Sequence, residues 1–177
     1  MKPIGPLMQE HRIIERMVKI LEKELKNIRR TGKIHPNVIL SGVDFFRTYA
    51  DRTHHGKEED ILFRDLTKKN LSTEHKNIMN KLVDDHILAR KTVGALLEAY
   101  SDFIQGNNDS IKEIISNMEK LVTLYPEHIS VEDTAFFYPC MEYFSNEEQQ
   151  NMLQEFWAFD QKMIHEKYSK IVNDLEM

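Results

Sequence analysis

The chain has few of the residues that break or cross-link a fold. Only one of its 177 residues is a cysteine, Cys140, which excludes a disulfide framework and a thiolate metal site. Six glycines, five prolines and no alternating apolar and polar runs exclude a sheet-rich fold and leave an all-α one. No apolar stretch approaches the roughly 20 residues that span a bilayer, so no membrane partner is expected. The start, Met1-Lys2-Pro3-Ile4-Gly5-Pro6, has no apolar signal core, which points to a cytoplasmic protein. Basic runs are missing as well, and a formal net charge of -5 argues against a nucleic-acid partner. There is no Gly-rich phosphate loop, nucleophile elbow or His-Glu-x-x-His. The length suits one domain with a sizeable core.

The few breakers fall where connections are needed: Thr31-Gly32 with His35-Pro36, Asn70 to Thr73, Gly106-Asn107-Asn108-Asp109, and Pro139 to Asn146. They predict helices near 5–30, 36–68, 73–105, 109–138 and 146–175. Ser72 or Thr73, and Asp109 or Ser110, are the expected N-terminal caps. Three of the helices carry the 3-4 apolar spacing of a bundle seam. The first has Leu7, Ile14, Val18, Leu21, Leu25 and Ile28 in register with His11; in the third and fourth, His86, His128 and Glu132 replace hydrophobes. On the second, Phe46, Ala50, His54 and Glu58 share one stripe.

Those polar residues form a pattern that occurs twice. A histidine is followed 42 or 43 residues later by His-x-x-x-Glu: His11 then His54/Glu58, and His86 then His128/Glu132. The flanks repeat too. Glu10-His11 matches Asp85-His86, Glu58-Glu59 matches Glu132-Asp133, and each copy runs on to a phenylalanine, Phe63 or Phe137.

An inward carboxylate without a partner costs several kcal/mol, and no lysine or arginine lies on these seams to neutralise two of them. Metal cations would. A histidine and a glutamate four residues apart are about 6 Å apart along a helix and reach one metal centre. Imidazole with carboxylate suits iron, manganese or zinc. A lone histidine on an apolar face is more often a hydrogen-bonded core residue, but six inward groups in a duplicated arrangement favour metal. The expected ligands are therefore His11, His54, Glu58, His86, His128 and Glu132, dividing into two half-sites. His35, His75 and His165 are expected at the surface. His55 is ambiguous: on an α-helix it is turned about 100° from its neighbour on the seam, which makes it a weaker candidate for the metal site without removing it.

The string His54-His55-Gly56-Lys57-Glu58-Glu59-Asp60-Ile61-Leu62-Phe63 resembles the signature of hemerythrin-like (HHE cation-binding) domains, as do Met8-Gln9-Glu10-His11-Arg12 and His128-Ile129-Ser130-Val131-Glu132-Asp133. The resemblance covers roughly residues 5–142. It implies an antiparallel up-down four-helix bundle around a non-haem di-iron centre, with the four histidines as terminal ligands and Glu58 and Glu132 as bridges. Zinc or manganese are possible substitutes for the two irons. The chain departs from the oxygen-carrying members in two places. Leu82 stands where they have a histidine four residues before His86, and Glu132 follows its histidine by four residues where they have an aspartate at five. Four clear histidines in place of five would leave an iron more open, or ligated by water, His55 or another oxygen donor, which argues against reversible oxygen carriage.

The expected organisation is a bundle over residues 1–142 and a helical extension over 143–177, packing on the bundle or on a partner. Met152, Leu153, Phe156, Trp157, Phe159, Met163, Ile164, Tyr168, Ile171 and Leu175 give that extension a wide apolar face, suited to a fifth helix or a homodimer interface. The functions consistent with the resemblance are binding, sensing or reaction with oxygen, nitric oxide or peroxide. Alternatives are a di-iron redox enzyme, an iron-handling or iron–sulfur repair protein, and an iron-responsive regulatory module.

Overall fold

The computed structural model describes residues 2–176, without the side chains at 168–171 and 173–176. All of its regular structure is helical. Helix α1 spans Ile4–Thr31 and buries Leu7, His11, Ile14, Val18, Leu21, Leu25 and Ile28 on one stripe, as the 3-4 spacing requires. It ends at Gly32, whose left-handed φ of 67° lets its N–H bond back to the Ile28 carbonyl. Helix α2 opens with Pro36 in its first turn, where the missing N–H is no loss. It runs as an α segment Pro36–Phe45, two π-helical segments Phe46–His55 and Glu58–Phe63, and a closing turn Arg64–Leu66. Helix α3 spans Thr73–Ile104, with the Ser72 hydroxyl accepting from the His75 N–H as its cap. Helix α4 begins at Ile111–Val131 with Pro126 inside it, passes through a π-helical turn Glu132–Phe136 and closes at Phe137–Cys140. Helix α5 spans Asn146–Glu176.

Each of the first four helices packs against its two neighbours in the ring, α1 on α2 and α4, and α3 on α2 and α4. Short connections make the neighbours antiparallel. The apolar core divides into two clusters. One holds Ile14, Leu21, Phe46, Val93, Leu121 and Tyr125; the other holds Leu7, Leu62, Leu82, Phe136, Phe137 and Cys140. The expected ligands occupy the layer between them.

Helix α5 lies along α2 and completes the second cluster with Met152 and Phe156. Gly56 makes that approach possible: a Cβ there would stand 2.7 Å from Phe159 Cζ. The extension's apolar face is thus split, since Trp157 and Ile164 are more than half exposed. Tyr168, Ile171 and Leu175 lie outside the described side chains. Among the described residues, no helix is long and apolar enough to cross a membrane.

Candidate metal centre

The structure brings His11, His54, Glu58, His86, His128 and Glu132 into one buried layer, and a seventh residue joins them. Two groups of ligand atoms converge, each within 4.8 Å: His11, His54, Glu58 and Glu132 in one, and His55, Glu58, His86 and His128 in the other. Glu58 belongs to both. Its Oε1 faces His54 Nε2 at 3.3 Å and its Oε2 faces His86 Nε2 at 3.4 Å, one oxygen to each group. Glu132 Oε2 lies between His11 Nε2 at 3.1 Å and His128 Nε2 at 3.2 Å.

His55, left open by the sequence, is the seventh. It is fully buried and its ring stacks on His86 with centroids 3.8 Å apart. The π-helical turns of α2 explain this. A wider turn rotates successive residues by less than the α-helical 100°, so His54 and His55 both reach inward. His55 therefore places a fifth imidazole in the layer, on a different helix from Leu82. Leu82 itself is buried in the apolar wall of the second cluster. The duplication is asymmetric at this point, because the residue matching His55 in the second copy is the buried Ile129. Three histidines serve one group and two serve the other.

The donor set fits a pair of cations. All four carboxylate oxygens of Glu58 and Glu132 are buried without a hydrogen-bond partner. Two such anions would each cost several kcal/mol unless compensated. Facing Nε2 atoms stand 3.0 Å apart for His11 and His54 and 3.2 Å for His86 and His128. Two nitrogens each about 2.1 Å from one ion are separated by about 3.0 Å at right angles and about 3.4 Å at the tetrahedral angle. Without metal, protons take up part of the positive role. Burial opposes charge on His11 and His128, but Asp133 and Glu132 raise His11 to about 9, and Glu132 raises His128 to about 10. His55 goes the other way: burial and the nearby His86 hold it well below 6.5, so it is a neutral imidazole.

An outer shell fixes the rings. The Nδ1 of His11 faces Asp133 at 2.8 Å, that of His54 faces Glu10 at 2.8 Å, and that of His86 faces Glu59 at 2.7 Å. His55 Nδ1 reaches Asp51 at 3.4 Å, and His128 Nδ1 stands 3.5 Å from Asp85. A carboxylate beside Nδ1 sets the tautomer that leaves the Nε2 lone pair free for a metal. Arg12, Lys57, Arg90 and Lys81 in turn pair with Asp133, Glu10, Glu59 and Asp85. Phe137 stacks on His11 and Phe63 on His86, so the duplicated phenylalanines wall the rings.

Lys57 departs from the expectation that no cation lies near the seams. It is wholly buried, yet it pairs with Glu10 and Asp160 and leaves the bridging glutamates alone. The remaining histidines stay apart from the centre. His35 binds Glu24, His75 bonds the Tyr143 hydroxyl and is half-buried where a solvated ring was expected, and His165 is exposed.

Comparison with curated proteins and with solved structures gives no match. The hemerythrin HHE cation-binding domain matches residues 2–140, which include all seven converging side chains and exclude α5. The chain belongs to the hemerythrin HHE cation-binding family.

Proposed function

We propose that this chain is a non-haem di-iron protein that binds, senses or reacts with a small oxidant: oxygen, nitric oxide or peroxide. The observation that carries the reading is Glu58, buried and unpaired, with one oxygen turned to each of two histidine groups. A residue so placed serves two ions at once. Five imidazoles, two carboxylates and no thiolate suit iron, with manganese or zinc able to occupy the same donors. His11 and His54 would hold one ion and His55, His86 and His128 the other, with Glu58 and Glu132 between them. Two irons there would supply the electrons that a small oxidant accepts.

The surroundings exclude a large reactant. The crevice beside His55, His86 and His128, with Ala89, Leu124 and Tyr125 on its walls, has essentially no free space even for a water-sized molecule. That is far below the several hundred Å³ of a typical organic-ligand pocket. Phe63, Phe136, Phe137 and Leu82 exclude bulk water from the opposite side. The outer carboxylates keep the rings oriented, so the donors are arranged before any ion arrives.

Anaerobic titration of metal-stripped protein with ferrous iron tests the count: two ions per chain are expected, and at most one tightly bound ion would overturn the reading. Exposure of the loaded protein to oxygen, nitric oxide and peroxide in turn, followed by visible absorption, tests reactivity. No spectral response to any of the three would refute the oxidant role.

A further inference from the structure

We propose that the C-terminal helix, which lies outside the family match, sets the metal affinity of the His11/His54 group through a buried chain from Asp160 to Lys57 to Glu10 to His54. The proposal rests on the metal reading above. Lys57 is wholly buried on α2, and a buried ammonium needs anionic partners. It has two: Glu10 Oε1 from α1, and Asp160 Oδ1 from α5 at 2.7 Å. The other oxygen of Glu10, Oε2, accepts from His54 Nδ1 at 2.8 Å. Asp160 thus shares the charge of Lys57 and leaves Glu10 free to accept fully from the histidine. Without Asp160, Lys57 draws on Glu10 alone, the bond to His54 weakens, and Nε2 becomes a poorer donor.

The second copy of the duplication offers an internal comparison. There, Val131 matches Lys57 and Ser130 matches Gly56. Ser130 is exposed, whereas Gly56 lies beneath Phe159 of α5. The matching histidine, His128, has no hydrogen bond at Nδ1, and its carboxylate Asp85 stands 3.5 Å away. In the first copy the carboxylate's lysine comes from α2 and is shared with α5, and the carboxylate sits 2.8 Å from the histidine. In the second, Asp85 pairs with Lys81 of its own helix and stands back at 3.5 Å. Gly56 and Lys57 are therefore the two positions at which the repeat has been adapted to α5, and Lys57 and Asp160 are positioning residues that act through Glu10.

The test uses the full-length protein and ferrous iron against a competing chelator. Asp160→Asn is expected to weaken one of the two ions about tenfold, at the low end of the 10–100-fold typical of outer-shell changes, and to leave the other unchanged. Glu155→Gln removes a different α5 contact, the pair with Arg64, and should leave both ions unchanged. Lys57→Met with Asp160→Leu removes the lysine that draws on Glu10 together with its partner, so the ion weakened in Asp160→Asn should return to wild-type affinity or bind more tightly. A second readout needs no metal: in ¹⁵N-histidine-labelled, metal-stripped protein, the His54 Nδ1 resonance should shift in Asp160→Asn while that of His128 stays. Unchanged affinities with an unchanged His54 signal would overturn the proposal. So would an equal fall for both ions in step with a lower Tm. If the wild-type protein takes up no pair of ions, the metal reading fails, and the His54 resonance still decides the chain.

Discussion

Gly56→Ala is expected to have opposite effects depending on what α5 places over it. The backbone at Gly56 is helical, with φ -59° and ψ -42°, so alanine fits the local conformation. On that count alone the substitution stabilises by about 0.8–1 kcal/mol, the ordinary helical difference between the two residues. The added Cβ, however, would stand 2.7 Å from Phe159 Cζ and 3.1 Å from Cε1, so the ring and α5 must move. Overpacking of this kind costs about 1–3 kcal/mol. The net change in the wild-type background is a loss of up to about 2 kcal/mol, and for a domain of this size each kcal/mol moves Tm by about 2–4 °C. In a Phe159→Ala background the clash is gone and the same substitution should raise Tm by about 2–4 °C. Thermal melts of the four proteins, followed by circular dichroism, give the coupling directly. Equal effects of Gly56→Ala in both backgrounds would refute the close seating of α5 on α2.

His55→Leu should lower iron content to about the same extent as His86→Leu, whereas His75→Leu and His165→Leu should leave it unchanged; elemental analysis that finds His55→Leu fully loaded would remove His55 from the centre. Glu58→Ala and Glu132→Ala should each reduce binding of both ions, because each carboxylate lies between the two groups, and His35→Ala should not; loss of a single ion in both glutamate variants would contradict a bridging role. Cys140 is buried in the apolar cluster, and burial pushes its thiol up to about 12, so a thiol reagent at pH 8 should label it only after denaturation; rapid labelling of the native protein would show that this cluster opens.

The helices were legible because their signals are local. The stripe from Leu7 to Ile28, the Gly32 stop and Pro36 at the next start each depend on a few adjacent residues, and the structure follows them within a residue or two. The polar residues on the seams were legible because burying them is costly, which makes His11 or Glu132 conspicuous among leucines. His55 stayed ambiguous because the 100° rule holds only for an α-helix, and the composition of α2 does not announce its π-helical turns. One signal was present: His55 aligns with Ile129, an apolar residue between His128 and Ser130, and an apolar residue there marks an inward position in the other copy. The outer carboxylates were visible as acids next to ligands, but their assignments depend on which helices are neighbours. Lys57 could not be read as buried without knowing that Asp160 returns to it from the far end of the chain.

The outer shell has a consequence for how such a molecule comes apart. His11, in the first hairpin of helices, is oriented by Asp133 of the second, and His86, in the second, is oriented by Glu59 of the first. Each hairpin thus carries ligands that only the other can aim. Cut in the connection between α2 and α3, the chain would yield one half with four of the seven converging side chains and one with three, and neither finished site. With two ions bound as proposed, the layer would act as a clasp between hairpins, and whatever opened it would release both ions together.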